Sequence, residues 1–270
     1  MQITDVIDSH VHSNFSADSQ MPLDLGCVHA MQQGLGGLVF TDHLDIDHPS
    51  KKFNFSVDFE KRAQAIELYK KTIPANFKLL QGVEIGFQSH IVEQMWPAIA
   101  SYNLDFVLCS VHVLDQRDFW DQSYYIGKTK QQAFERYLQA IYDSVISFEH
   151  FDVIAHIGYM CRYVPYDDKT LHYHDHADIL DAIFTSLIER GKGIEVNTSG
   201  LYYRIDPTIP NMQLLQRYKE LGGEIITIGS DSHDHTHIGR NFDGALELLR
   251  TLGFSYITYF EKRKPIFIAL

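Results

Sequence analysis

The chain has 270 residues, of which 45% are apolar, and a formal net charge of −12 at pH 7. That size suits one large α/β domain over residues 1–270, and the negative charge argues against a nucleic-acid groove, which needs clustered Lys and Arg. We find no transmembrane-length apolar run and no signal-peptide pattern at the start. Three cysteines in no CxxC pair are typical of reduced thiols, so we expect a cytoplasmic protein.

Short β-rich runs alternate with helical patterns along the whole chain. The pattern predicts strands at residues 3–9, 37–41, 78–82, 106–110, 153–155, 193–196 and 224–229. It predicts helices at residues 22–33, 57–72, 130–148, 177–190, 212–221 and 242–252. Such alternation implies parallel strands with right-handed crossovers. In a barrel of this kind, the loops that follow the strands build the active site; here they include residues 42–56, 115–128 and 158–175.

Two clusters of histidine and carboxylate lie near the ends of the chain. The first is His10-Val11-His12, followed by Asp18, and the second is Asp231-Ser232-His233. Side chains at i and i+2 of a strand point to the same face, so each cluster presents two candidate ligands together. The two clusters can meet only if the fold closes on itself, and shared metal ions would account for such a meeting.

The other predicted strands end in the same residue types. Their ends carry His43, Glu84, His112, His156, Glu195 and Asn197. A single histidine or carboxylate after a strand is usually a solvated loop residue, but independent accidents at seven strands are improbable. Carboxylate and imidazole are ligands that suit Zn, Mn or Fe. The sequence therefore predicts a multinuclear metal site.

At these positions the chain resembles the PHP (polymerase and histidinol phosphatase) family over nearly its whole length. The family's HxH motif is matched by His10-Val11-His12, and its later motifs by the remaining strand ends. The nine matching ligand positions are His10, His12, Asp18, His43, Glu84, His112, His156, Asp231 and His233. Many relatives carry His where this chain has Asp18, which leaves the identity of the metals open.

Within the family, the chain is most similar to stand-alone histidinol phosphatases, in residues 193–201, 229–233 and 253–265. The resemblance implies a distorted (β/α)7 TIM-like barrel with three divalent or trivalent metal ions, which are Zn, Fe or Mn. It also implies hydrolysis of L-histidinol phosphate, a small anionic phosphate monoester, in histidine biosynthesis. No membrane or nucleic-acid partner is expected.

The resemblance further implies how the ligands divide among the metals. The expected sets are His10, His12, Glu84 and Asp231 for the first metal, Glu84, His112 and His156 for the second, and Asp18, His43 and His233 for the third. Two metals sharing a hydroxide would let it attack phosphorus in line, with Glu84, Asp231 and His233 as catalytic residues. Ligand histidines must be neutral, so activity should collapse on acidification as metal is lost.

Candidate substrate-binding residues lie in the loops after the strands. Arg162 is the expected phosphate clamp because arginine binds phosphate bidentately, and Arg204 and Arg240 are further candidates. Histidinol phosphate also carries an amine and an imidazole, which require a carboxylate and an aromatic wall. The residues available for this are Asp115, Asp118, Phe119 and Trp120, although a solvated turn is an equal alternative.

Other polar residues receive more general interpretations. Glu195 and Asn197 are expected to orient ligands or substrate, and His235 or His237 is a candidate proton donor to the leaving alkoxide. The motif His172-Tyr173-His174-Asp175-His176 lies in a predicted loop with no identified carboxylate partner. We interpret it as a solvated entry to the next helix.

Three other functions remain open from the sequence. One is a different PHP phosphoesterase, acting on nucleotides, phosphotyrosine or other small monoesters. Another is an amidohydrolase, whose barrel also begins with HxH but often needs a bridging carbamylated Lys where this chain has Ser110-Val111-His112. The third is a non-catalytic PHP module, although such domains lose ligands and all nine positions are intact here.

Overall fold

The computed structural model describes residues 5–270, and its centre is a barrel of parallel strands. The strands are β1 (Ile7–Val11), β2 (Gly37–Phe40), β3 (His43–Leu44), β4 (Lys78–Gly86), β5 (Phe106–Ser110), β6 (Val113–Leu114), β7 (Arg117–Asp118), β8 (Val153–Ile154), β9 (Gly193–Asn197), β10 (Ile226–Gly229), β11 (Tyr256–Glu261) and β12 (Lys264–Ala269). Seven of them form the barrel in the order β1-β2-β4-β5-β8-β9-β10, with β3 also paired to β4. Each of these pairings is parallel, which confirms the predicted (β/α)7 architecture.

Helices connect the barrel strands. They are α1 (Leu23–Gln32), α2 (Phe59–Tyr69), α3 (Val92–Ile99), α4 (Lys130–Ser147), α5 (Ala177–Glu189), α6 (Met212–Glu220) and α7 (Phe242–Thr251). Capping groups fix several of their starts: Thr129 and Gln132 form a capping box on α4, and Asp58 and Asn211 cap α2 and α6. No helix within residues 5–270 is long and apolar enough to cross a membrane.

The predicted strands and helices all appear in the structure, with differences at their ends and with additional elements. Strand β4 runs to Gly86 and so contains Glu84, whereas the prediction ended at residue 82, and the short strands β3, β6 and β7 were not predicted. The first strand runs to Val11 and so contains His10, whereas the prediction ended at residue 9; predicted residues 3 and 4 lie outside the described part of the chain. Helix α3 was not predicted, and it carries Pro97, a residue that normally ends a helix. The β11–β12 hairpin was also not predicted.

The barrel closes between its first and last strands only at their carboxyl ends. There the Asp231 N–H donates to the His10 carbonyl and the His12 N–H donates to the Ser232 carbonyl, both at 2.8 Å. The buried Asp8 carboxylate reinforces this seam by accepting from the N–H groups of Ser230 at 2.9 Å and Gly239 at 3.0 Å. Burial raises the pKa of Asp8 to about 6. This closure brings the two terminal clusters together.

The C-terminal hairpin covers the opposite end of the barrel. Phe260 on β11 is buried, and its ring packs 5.3 Å from that of Phe106 inside the barrel. Polar contacts hold the hairpin turn, since Arg263 Nε donates to Asp152 Oδ2 at 2.6 Å. The amino end of the barrel is therefore filled with apolar side chains, and the carboxyl end is left for the polar site.

Candidate metal centre

Glu84, near the carboxyl end of β4, is the centre of a buried cluster of imidazoles. Its Oε2 lies 3.1 Å from His10 Nε2 and 3.1 Å from His43 Nδ1. Its Oε1 lies 3.0 Å from His112 Nε2 and 2.9 Å from His156 Nε2. Burial alone would raise the pKa of Glu84, but the nearby imidazoles outweigh that effect and hold it well below its usual range. The structure thus places Glu84 between the two histidine pairs, where a bridging ligand was predicted.

The Nε2 atoms of the two histidines of the HxH motif face each other, 3.0 Å apart. His10 Nδ1 lies 2.6 Å from Glu195 Oε1, a contact that favours a proton on Nδ1 and leaves Nε2 as the atom that could bind a metal ion. Burial alone would lower the pKa of His10, but Glu195, Glu84 and Asp231 raise it well above its usual value, so these carboxylates stabilise positive charge here. Ser16 Oγ donates to Asp42 at 3.1 Å and accepts from His12 Nδ1 at 3.0 Å, which leaves His12 Nε2 directed at the cluster.

The same arrangement recurs at the other side of Glu84. His112 Nδ1 donates to Asp45 Oδ1 at 3.0 Å, which directs its Nε2 at Glu84 Oε1. Burial alone would lower the pKa of His112, but Glu84 and Asp45 raise it well above its usual value. Glu84 Oε1 is buried and makes no well-aligned hydrogen bond within residues 5–270, although two imidazole nitrogens lie within 3.0 Å of it. Imidazole nitrogens that converge in this way on a buried carboxylate form a donor set that fits metal ions.

Asp231 joins this cluster from the end of β10. Its Oδ1 lies 3.6 Å from His10 Nε2 and 3.5 Å from His12 Nε2. The residue has a φ of 54°, which is unusual for a side chain other than glycine and typical of functional positions. Burial would raise the pKa of Asp231, but Arg162 and His10 hold it well below its usual range.

Asp18 lies at the outer edge of the cluster. Its Oδ2 is 3.5 Å from His43 Nε2 and 3.3 Å from His233 Nε2. The His233 ring stacks on that of His12, with centroids 4.1 Å apart. The three residues predicted for a third metal are therefore neighbours, and the HxH motif adjoins them.

Four groups of side chains bring ligand atoms within 4.8 Å of one another: His10, His12 and Asp231; Glu84, His112 and His156; His12, His43 and His233; and His43, Asp45 and His112. The first two groups fall within the sets expected for two of the metals. Asp45 was missed by the sequence analysis. Its spacing of two residues from His43, equal to that of His10 from His12, was the available signal.

A cavity of about 340 Å³ opens over the cluster. Arg162 lies in its wall, stacked between the rings of Tyr159 at 4.6 Å and Tyr203 at 4.5 Å. Its Nη2 donates to Asp231 Oδ2 at 2.6 Å and to Ser199 Oγ at 2.5 Å. Burial would lower the pKa of Arg162, but Asp231 raises it, so the guanidinium stays charged. Arg162 is thus fixed beside the candidate metal ligands.

The other candidates have different positions. Arg240 and His237 line this cavity, whereas His235 does not and instead lies against the His29 ring at 5.5 Å. Asn197 Nδ2 donates to Glu195 Oε2 at 3.2 Å and reaches Asp231 Oδ2 at 3.4 Å, so it contacts the cluster from behind.

Besides His235, three predicted substrate residues are not brought to the cavity, namely Asp115, Phe119 and Arg204. Asp115 is exposed, and its Oδ1 accepts from Arg136 Nη2 at 2.8 Å. Arg204 is also exposed and lines a separate surface depression with residues 167–170. Phe119 is buried against Tyr124 and Tyr137, away from solvent. Asp118 and Trp120, by contrast, line a recess beside the cluster.

Comparisons with known proteins give consistent results. The family model described as "PHP domain" matches residues 8–199. A probable histidinol-phosphatase of Clostridium acetobutylicum is 33% identical, with 96% of this chain and 98% of that protein covered. A histidinol-phosphatase of Lactococcus lactis is 31% identical, with 96% and 95% covered. A crystal structure of the histidinol phosphate phosphatase of Lactococcus lactis contains zinc, L-histidinol and phosphate. It superimposes on this chain with a TM-score of 0.87 and is 30% identical in sequence. The match covers 97% of this chain and 98% of that one.

Proposed function

The chain belongs to the PHP-domain family, and from that premise we propose that it is a histidinol-phosphatase, which hydrolyses L-histidinol phosphate to L-histidinol and phosphate in histidine biosynthesis. The observation that carries this proposal is the buried cluster of imidazole and carboxylate groups around Glu84, which lies beside the charged Arg162. Such a site suits an anionic phosphoryl group, and the whole chain, residues 1–270, serves as one catalytic domain. Three free, buried cysteines fit a cytoplasmic enzyme.

The cluster would hold three metal ions, chosen from zinc, iron and manganese. The ligand sets are those predicted above: His10, His12, Glu84 and Asp231; Glu84, His112 and His156; and Asp18, His43 and His233. Metal ions of this kind supply Lewis acidity and lower the pKa of water towards about 7. The mixture of imidazole and carboxylate ligands suits these three metals.

The protein groups around the cluster bind and orient the phosphate ester. Arg162 and Arg240 carry positive charge into the cavity that the phosphoryl oxygens would enter. The two tyrosine rings that enclose Arg162 restrict its guanidinium, so it needs little reorganisation to bind phosphate. Asp231 holds the same guanidinium and contacts the HxH pair, and so it couples phosphate binding to the metal ligands.

The proposal is tested by phosphate release from L-histidinol phosphate with metal-reconstituted protein. His112→Ala should abolish turnover, at least about a thousandfold, because it removes a ligand beside the bridging carboxylate. His90→Ala is the matched control, since His90 is exposed and pairs only with Asp47 at 2.7 Å. A wild-type protein that turns over L-histidinol phosphate no better than p-nitrophenyl phosphate would show that the proposed specificity is wrong.

A further inference from the structure

A second recess, of about 210 Å³, adjoins the main cavity. The two share wall residues at the metal cluster, namely Asp18, His43, His112, Tyr159 and Tyr163. A molecule whose phosphoryl group sits over the cluster can therefore extend its other end into this recess.

The two cavities differ in charge. The main cavity is lined by Arg162 and Arg240, whereas none of the twelve residues lining the recess, all in the described part of the chain, is Lys or Arg. The recess instead presents the carboxylates of Asp18, Asp45 and Asp118. Asp18 and Asp45 already face His43 and His112, so Asp118 is the acidic group least engaged with the cluster.

Asp118 is held in a defined orientation. It ends β7, whose pairing with β6 places Asp118 opposite Val113. Its Oδ1 accepts from the Trp120 N–H at 3.1 Å, and its Oδ2 lies 3.3 Å from His48 Nε2. The side chain is 14% exposed, so this carboxylate is shielded enough for a cation to bind it strongly while a ligand can still reach it.

Aromatic rings form the rest of the recess. The Phe55 ring lies 4.5 Å from that of His48 and 5.7 Å from that of Phe53. Trp120 lines the same recess with 63% of its surface exposed to solvent. Faces of this kind suit a flat heteroaromatic ring and an adjacent ammonium group.

We propose that this recess binds the leaving-group end of the substrate, an ammonium group next to an imidazole, and that Asp118 is the residue that recognises its positive charge. The inference rests on the proposed function and specifies its substrate recognition. The two ends of the substrate are then bound by groups of opposite charge. The arginines of the main cavity bind the phosphate, and the carboxylate of the recess binds the ammonium group. A phosphate ester whose leaving group is uncharged gains nothing from the second contact.

The competing carboxylate is Asp234, which lines the main cavity. Its Oδ1 already accepts from the Thr236 N–H at 2.9 Å and from the Thr236 hydroxyl at 2.7 Å, and its side chain is 56% exposed. It also shares its cavity with two arginines, which a bound ammonium group would face. These contacts favour Asp118 over Asp234.

The test compares Asp118→Asn with wild type on two substrates, L-histidinol phosphate and p-nitrophenyl phosphate, which lacks the ammonium group. The ratio of the two kcat/KM values should fall about 10- to 100-fold, mainly through KM for L-histidinol phosphate, because a charge-assisted hydrogen bond is lost. Inhibition of p-nitrophenyl phosphate hydrolysis by L-histidinol should weaken by a similar factor. Asp121→Asn is the matched control, because it removes the same charge three residues further along the chain, where the Asp121 carboxylate contacts the N–H and the side chain of Ser123 and does not line the recess.

The outcomes separate this inference from the proposed function. A wild-type protein without preference for L-histidinol phosphate overturns the function itself. A wild-type preference that survives in Asp118→Asn, or that is lost in Asp234→Asn instead, overturns the recess assignment alone. Equal loss in Asp118→Asn and Asp121→Asn would also contradict it, since the effect would then be long-range charge rather than contact.

Discussion

Two histidine-rich motifs of this chain have the same spacing and opposite surroundings. His10 and His12 lie at the end of a barrel strand, fully buried, with their Nε2 atoms 3.0 Å apart. His172 and His174 have the same i, i+2 spacing but flank the start of a 3-10 turn, and His174 is 74% exposed. The spacing alone therefore does not make a metal site.

The difference lies in what surrounds each motif. Parallel strands direct Glu84 and Asp231 at the first pair from other parts of the barrel. Within residues 5–270, the ion pairs of the second motif are formed with carboxylates near it in sequence: His172 contacts Asp168 at 2.9 Å and His174 contacts Asp175 at 3.1 Å. Local contacts of this kind are solvated and weak. A site of several ligands needs backbone from distant segments to converge, which the barrel closure supplies.

Acidification should give the largest difference between the two motifs, because metal binding is expected at the buried motif and not at the exposed one. Protons compete with metal ions for imidazole nitrogen. Burial alone would lower the pKa of His10 and His112, but the carboxylates around them raise it well above its usual value of about 6.5, so the metal-free site takes up protons above that pH. Bound metal and phosphatase activity should therefore begin to fall together above about pH 6.5 and be lost below it. The check is metal content after dialysis at each pH, measured beside activity and circular dichroism. Activity that is lost while all the metal remains bound would contradict this reasoning.

A smaller loss of metal affinity is expected when Glu195, the carboxylate that contacts His10 of the buried motif, is replaced. Glu195→Gln removes the charge that holds the proton on His10 Nδ1 and keeps the size of the side chain. Loss of a carboxylate that hydrogen-bonds to a metal-binding histidine typically lowers metal affinity about 10- to 100-fold. The metal should therefore dissociate from Glu195→Gln at correspondingly lower chelator concentrations than from wild type. The measurement is a chelator titration that follows bound metal.

The control for that variant uses the exposed motif. Asp168→Asn removes a carboxylate that is 55% exposed and lies beside His172. It should leave the chelator titration unchanged. If both variants shift the titration equally, the buried contact has no special role in holding the ligand.

Much of the candidate metal cluster could be predicted from the sequence because most of its residues lie at or just after the carboxyl end of a strand. The i, i+2 rule placed His10 beside His12, and the recurrence of the same residue types at other strand ends predicted that they would converge. Asp45 was missed although its spacing of two residues from His43 was a sequence signal; its contact with His112, which lies 67 residues away along the chain, is shown by the packed barrel alone.

The substrate loops could not be predicted in the same way. The sequence offered Asp115 and Asp118 as equals, but a tight turn between β6 and β7 separates them. Asp115 and Gln116 take φ values of 52° and 57° in that turn, so Asp115 turns away to Arg136 while Asp118 faces the recess. Such turns are usually signalled by Asn-Gly or Asp-Gly, and Asp115-Gln116 carries no glycine.

The smallest expected effect tests the exposed motif directly. Replacing both His172 and His174 by Ala should leave the phosphatase activity within about twofold and the free energy of unfolding within about 0.5 kcal/mol, as for most surface changes. Asp168 keeps its ion pair with Lys130 at 2.7 Å in that variant, so the loop does not lose its anchor. Activity, urea denaturation and bound metal per chain are the measurements. A fall in bound metal would show that the exposed pair is a ligand site after all, and that spacing matters more than the convergence of distant carboxylates.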